Sequence, residues 1–224
     1  MINNKKILAV IPARGGSKRL PRKNILPFNG KPLLAWTIAA ANRSKYLDKI
    51  IFSSEDDEII EVARKYKVEI PYKRPDELAA DHVTASEVVL HALSEFPNYD
   101  FVVLLQTTSP LRTAQDIDNA IERCVLSGAA SCVSVINLND HPRCIYNINK
   151  MGRLLKPQLN QEEESIVRLN GAVYVSEVGR FNERKNFVDE ETIAYLMPPS
   201  RSIDIDTAFD FSVAEKLAEM NGLN

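Results

Sequence analysis

Ile7-Leu8-Ala9-Val10-Ile11-Pro12-Ala13-Arg14-Gly15-Gly16-Ser17-Lys18-Arg19-Leu20-Pro21-Arg22-Lys23-Asn24 decides the fold. An unbroken apolar run, the pattern of a strand buried on both faces, leads into a loop rich in cations and glycine. Two glycines let backbone approach a ligand without a Cβ in the way. Arg14, Lys18, Arg19, Arg22 and Lys23 crowd positive charge into a few positions, while Pro12 and Pro21 give the loop a shape. Backbone N–H groups in such a turn form an anion nest, and the cations add charge. The predicted job is to hold a polyphosphate at the C-terminal end of a first strand, where open α/β sheets bind ligands. The spacing fits neither a P-loop nor a Gly-x-Gly-x-x-Gly fingerprint.

Working outward, strand and helix patterns alternate. Strands are expected at Lys49–Ser53, Val68–Tyr72, Phe101–Leu105 and Ser131–Ile136. Helices are expected at Lys31–Asn42, Asp56–Tyr66, Glu87–Phe96, Thr113–Ser127 and Asp206–Met220. This order predicts an α/β fold of three layers, a mostly parallel sheet with helices on both faces. The 224 residues make one domain, 1–224. Within it the rhythm changes over residues 141–190, where short strand-like pieces at Cys144–Ile148 and Ala172–Val175 suggest an inserted arm.

A net charge of −2 argues against a nucleic-acid binder and makes the basic loop a local feature. Cys124, Cys132 and Cys144 lack metal-like spacing and suit a reducing, cytoplasmic compartment. No run approaches the ~20 apolar residues of a membrane span, and the short apolar run after Lys5-Lys6 is a strand rather than a signal core.

Four further stretches carry polar chemistry. Arg74 to Asp81, followed by Thr84 and Ser86, feeds a helix start; it reads as a base or ribose contact or as plain N-capping. Gln106-Thr107-Thr108-Ser109-Pro110-Leu111-Arg112 follows a buried strand and suits a polyhydroxylated ligand. Arg168-Leu169-Asn170-Gly171 runs into a strand and, alone, reads as a hairpin turn. Asp204 and Asp206 alternate with Ile203 and Ile205, so in an extended chain both carboxylates share one face. Their repulsion invites a cation, and Mg²⁺ prefers carboxylate oxygen and bridges phosphates.

Taken together and in order, these stretches resemble the acylneuraminate cytidylyltransferases, or CMP-sialic acid synthetases, over nearly the whole chain. The related Kdo enzymes share the plan but lack the Gly-Gly-Ser-Lys run. The resemblance implies a nucleotide-diphospho-sugar transferase-like fold and a reaction of CTP with a nonulosonic, acidic nine-carbon sugar. The anomeric hydroxyl attacks the α-phosphate in line, giving CMP-sugar and pyrophosphate, with Mg²⁺, or Mn²⁺ in its place, as cofactor. It implies that Arg14, Lys18 and Lys23 serve the triphosphate, with Asp206 as a further catalytic residue. Ala13, Gly15, Ser17 and Asn24 would line the nucleotide, with Arg74, Ala80 and Thr84 at the cytidine. Gln106, Thr107 and Asn170 would meet the sugar, and Asp204 and Asp206 the metal. The 141–190 arm would dimerise the protein.

One departure concerns the acceptor. Where the family carries an Arg-Arg-Gln-like stretch that grips the sugar carboxylate, this chain reads Leu159-Asn160-Gln161-Glu162-Glu163-Glu164. Arg168 or Lys156 is then the candidate carboxylate ligand. The acceptor remains open between N-acetylneuraminic, legionaminic and pseudaminic acids and Kdo, and a catalytically silent nucleotide-binding relative is the alternative from another class.

Overall fold

The computed structural model describes residues 2–138, 146–155 and 166–222. Strand β1 (Ile7–Pro12) explains the layering. Ile7 to Ile11 are all fully buried, and their side chains alternate between two cores. Ile7, Ala9 and Ile11 join one cluster; Leu8 and Val10 join the other. A strand with apolar demands on both faces cannot alternate, hence its uninterrupted run. Truncating such a residue to Ala costs about 2–5 kcal/mol.

After the basic loop comes a small hairpin, β2 (Pro27–Phe28) and β3 (Lys31–Pro32). Asn29 and Gly30 turn it with φ of 44° and 76°, the left-handed values of a two-residue turn. The helix expected from Lys31 therefore begins two residues later, as α1 (Leu33–Asn42). β4 (Lys49–Ser53) and α2 (Asp57–Arg64) follow, the Asp56 carboxylate accepting the Ile59 N–H at 3.0 Å to cap α2. The strand expected at Val68–Tyr72 is only a parallel bridge, Glu69 against Ile51, because Pro71 has no N–H to extend a ladder.

Next come α3 (Ala85–Glu95), β5 (Phe101–Leu104), α4 (Ala114–Ser127) and β6 (Ser131–Asn137). A minor hairpin, β7 (Asn147–Ile148) with β8 (Leu154–Leu155), precedes β9 (Val167–Glu177). α5 (Val178–Arg184), β10 (Ile193–Leu196) and α6 (Ala208–Met220) complete the chain. Thr84, Thr113 and Thr207 open α3, α4 and α6 with capping boxes.

The main sheet has the order β10-β6-β9-β5-β1-β4. All neighbours are parallel except β9, which runs antiparallel to both β5 and β6. The mostly parallel, three-layer expectation holds. The short strand expected at Ala172–Val175 is instead an eleven-residue central strand. Asn170-Gly171 is not a hairpin turn but an irregularity within that strand. Its pairing with β6 shifts register between Val133 and Val135, and Gly171 sits at φ +74°. Of the 141–190 segment, β9 therefore belongs to the main sheet, whereas β7 and β8 pair only with each other. Cys144, Lys156 and Leu159 to Glu164 lie outside the described residues.

Cys124 and Cys132 are free, fully buried thiols in the first core. Burial pushes them up to about 12 and about 11 respectively. No helix among the described residues is long and apolar enough to cross a membrane.

Candidate active site

A cavity of about 410 Å³ opens where β1 and β5 end. Its walls come from the basic loop, the Arg74–Val88 region, the segment after β5, and Asp206. This is the sheet edge at which the sequence placed a ligand.

The basic loop is clamped from behind by the acids that follow β4. Glu55 Oε1 accepts the Gly15 N–H at 2.7 Å. Arg22, itself at φ 58°, grips Asp56 at 2.6 and 3.1 Å and also bonds Glu58. A Cβ on Gly15 would come within 2.4 Å of Asp56 Oδ2, so glycine is needed there for close approach. The Gly15 N–H thus points into the protein and is not free for a phosphate.

The remaining cations also have acidic partners. Arg14 and Lys18 both pair with Asp81, Arg14 at 3.3 Å. The Lys18 hydrogen bond, helped by the charges of Lys18 and Arg14, holds the Asp81 carboxyl below its usual range. Arg19 and Lys23 both pair with Asp206, at 2.7 and 3.1 Å. Asp81 and Asp206 thereby offset the charges expected to meet a triphosphate.

Ala13, Ser17, Asn24, Arg74, Ala80 and Thr84 all line the cavity. Asn24 is buried and structural in its contacts: its Nδ2 donates to the Arg14 carbonyl at 2.9 Å, and its Oδ1 accepts from Thr107 Oγ1 at 2.6 Å. Arg74 is buried and donates to Glu55 Oε2 at 2.5 Å. One carboxylate therefore ties the Arg74 guanidinium to the Gly15 backbone. The Thr84 hydroxyl is committed to the α3 cap, donating to Glu87 Oε2 at 2.9 Å and accepting the Glu87 N–H at 3.3 Å; the N-capping alternative describes that hydroxyl.

Gln106 and Thr107 also line the cavity. Asn170 does not. It is buried, with its Oδ1 accepting from Ser134 Oγ at 2.6 Å and from the Ala172 N–H at 3.2 Å. Its Nδ2 donates to Ser202 Oγ at 3.0 Å. The amide ties β9 and β6 to the 198–206 loop. Arg168 is exposed on β9, opposite Ile136, outside the cavity lining.

Gly171 marks where the acceptor-side elements meet. A Cβ there would fall 2.7 Å from Gln106 Oε1, 3.2 Å from Ser109 Oγ and 3.3 Å from Asp204 Cγ. Asp204 is solvent-accessible but crowded by protein. Desolvation and the Asp206 and Asp210 charges push its carboxyl up, against a hydrogen bond with Thr108 and the Lys23 charge. Among the described residues no group of three or more metal-type side chains is assembled. The two carboxylates fit Mg²⁺ only as part of a shell completed by phosphate oxygens and water.

Sequence reasoning missed Glu55, Asp56 and Asp81 as partners of the loop. Their position after β4 and before α3, at the same sheet edge as the basic loop, was the available signal.

Comparisons with known proteins give the family. A cytidylyltransferase family model matches residues 8–223. The chain is 40% identical to the CMP-N,N'-diacetyllegionaminic acid synthase of Legionella pneumophila, over 96% of this chain and 97% of that protein. It is 35% identical to the N-acylneuraminate cytidylyltransferase of Escherichia coli over 93% of its length, spanning 51% of that relative. A solved CMP:2-keto-3-deoxy-manno-octonic acid synthetase complexed with CTP superposes with a TM-score of 0.71 at 15% identity, covering 96% of this chain and 99% of that one; at that identity it speaks for the fold. The match along nearly the whole chain leads to one assignment: the chain belongs to the cytidylyltransferase family and is a nucleotidyltransferase.

Proposed function

We propose that this cytidylyltransferase joins CTP to a nonulosonic acid, releasing pyrophosphate and the CMP-sugar. One observation carries the reading. The basic loop and Asp206 converge on one cavity, linked through Lys23 and Arg19, and Asp204 stands two residues away on the same segment outside the cavity lining. A polyphosphate and a cation-seeking carboxylate pair are thereby addressed together, as nucleotidyl transfer requires.

Arg14 and Lys18 leave Asp81 to hold the triphosphate and offset charge on the departing pyrophosphate. Arg74, fixed by Glu55, borders the cytidine. Gln106 and Thr107 orient the sugar so that its anomeric oxygen bonds to the α-phosphorus, its proton passing to water, as the bridging oxygen leaves in line with the pyrophosphate. Asp204 and Asp206 would hold Mg²⁺, which would supply neutralisation of the triphosphate. Asn170 acts indirectly, by fixing the loop that carries both aspartates.

The legionaminic type is the first acceptor to test, given the 40% identity to a synthase of that type. A homodimer built through the β7–β8 hairpin is part of the proposal. Ile148, Met151 and Leu154 on the β7–β8 hairpin are 71%, 76% and 66% exposed, apolar area that a second copy would cover. A cytoplasmic location is proposed from the free, buried Cys124 and Cys132.

The test is pyrophosphate release from CTP and Mg²⁺ with legionaminic, N-acetylneuraminic and pseudaminic acids and Kdo supplied separately. Turnover with a nonulosonic acid is expected. Silence with all of them, or turnover confined to Kdo, would retire the reading.

A further inference from the structure

Arg112 ends the Gln106–Arg112 segment, and its residue is 3% exposed. Its hydrogen bonds go to neutral oxygens. Nη1 donates to the Ala172 carbonyl at 2.5 Å, Nη2 to Thr37 Oγ1 at 2.5 Å, and both nitrogens to the Gln106 carbonyl at 3.2 Å. Among the described residues its Nε has no partner. Burial pushes the guanidinium down to about 9, so it is still a cation at neutral pH. A buried cation hydrogen-bonded only to neutral oxygens is costly. The charge of the Asp116 carboxylate offsets part of that cost.

What the guanidinium joins is specific. Gln106 lines the cavity. Ala172 follows Gly171, whose missing Cβ makes room for Gln106 Oε1 and Asp204. Thr37 comes from α1 and also donates to the Gln106 carbonyl, at 3.3 Å. Only a planar fork with several donors can reach acceptors on three elements at once. We propose that Arg112 is a positioning residue for the acceptor corner of the site, holding the Gln106 backbone and the Gly171 bulge in register so that the Gln106 side chain meets the sugar. The inference rests on the acceptor reading above.

The experiment is a double-mutant cycle of Arg112→Lys and Gln106→Ala, with KM measured separately for CTP and for the sugar that the wild type uses, and melting temperature as control. Arg112→Lys should raise the acceptor KM about tenfold while the CTP KM stays within about twofold. On the Gln106→Ala background it should add less than about twofold, because the group it positions is gone. Additive effects, a parallel rise in both KM values, or no change would overturn the role. If Arg112→Lys fails to fold, Thr37→Val carries the test: it removes one anchor, and an unchanged acceptor KM would overturn the role. A wild type that turns over no acceptor would sink the underlying reading and this inference with it. An active wild type with additive variants would sink this inference alone.

Discussion

Lys23 binds the acidic loop to the basic one: its Nζ donates to the Ile205 carbonyl at 2.6 Å and lies 3.1 Å from Asp206 Oδ1. Lys23 is nearly buried, whereas the Asp206 side chain is 41% exposed. Removing the carboxylate therefore costs the fold little, about 1 kcal/mol for a pair of this exposure. It removes much more from the chemistry if Asp206 holds the cation that faces the triphosphate. Asp206→Ala should lower kcat by about 100-fold or more with a nearly unchanged melting curve. Wild-type turnover in the variant at saturating Mg²⁺ would remove Asp206 from the metal site.

Asp81 predicts effects of opposite sign on the two sides of one contact. Its carboxylate pairs with Arg14 and Lys18, the two cations that the proposed triphosphate would take. Such exposed pairs are weak and screened by salt. Asp81→Asn should therefore lower the KM for CTP roughly two- to fivefold, with the gain fading at high salt. Lys18→Ala, by contrast, should lower turnover strongly; a rate within about twofold of the parent, roughly 0.4 kcal/mol, would take Lys18 out of the mechanism. A rise in the CTP KM of Asp81→Asn would show that Asp81 helps to bind nucleotide rather than compete with it.

Gly171 is required twice, by its φ of +74° and by the 2.7 Å at which a Cβ would meet Gln106 Oε1. Gly171→Ala should destabilise the protein by about 1–3 kcal/mol and displace Gln106, reducing kcat/KM for the sugar more than for CTP. Denaturant unfolding and separate substrate titrations measure the two effects. Equal losses for both substrates would mean that the bulge supports the fold without shaping the acceptor corner.

The body of the sheet was legible in the sequence wherever burial left a local mark. Ile7 to Ile11 announce a doubly buried strand because each face needs apolar side chains, and the cations of the next loop stand out by composition. The central position of β9 was not legible. Its neighbours β5 and β6 are brought to it by long-range pairing, and Asn-Gly satisfies the positive φ of a turn and of a bulge equally well. Glu55, Asp56 and Asp81 escaped for another reason. An acid before a helix already has a local explanation, as the Asp56 cap shows, so nothing local reveals its partner from the basic loop. Asn170 shows the same ambiguity inside the fold, since an amide that suits a sugar hydroxyl suits Ser134 and Ser202 as well.

Asp116 gives a pH prediction. Its side chain is fully buried, and it accepts from Arg201 at 2.9 and 2.8 Å, the Thr113 N–H at 2.9 Å and Tyr195 Oη at 3.1 Å. Burial alone would raise its carboxyl, but the Arg201 and Thr113 donors prevail and hold it below the ordinary 3.8. With the folded value depressed, the unfolded chain binds the extra proton. The stability that Asp116 contributes is therefore fully present above the ordinary value and is lost as pH falls through the folded one. Asp116→Asn should cost about 2–4 kcal/mol at neutral pH, because Arg201 is left without its charge partner. That cost should shrink below about pH 4, where the wild type loses the same contribution. Urea unfolding across pH 3 to 7 tests this, and parallel stability curves for the two proteins would show that the Arg201 bond does not set the carboxyl's proton affinity. Because Arg201 anchors the loop that leads to Asp204 and Asp206, the variant should also lose turnover at neutral pH, and full activity there would separate the anchor from the site.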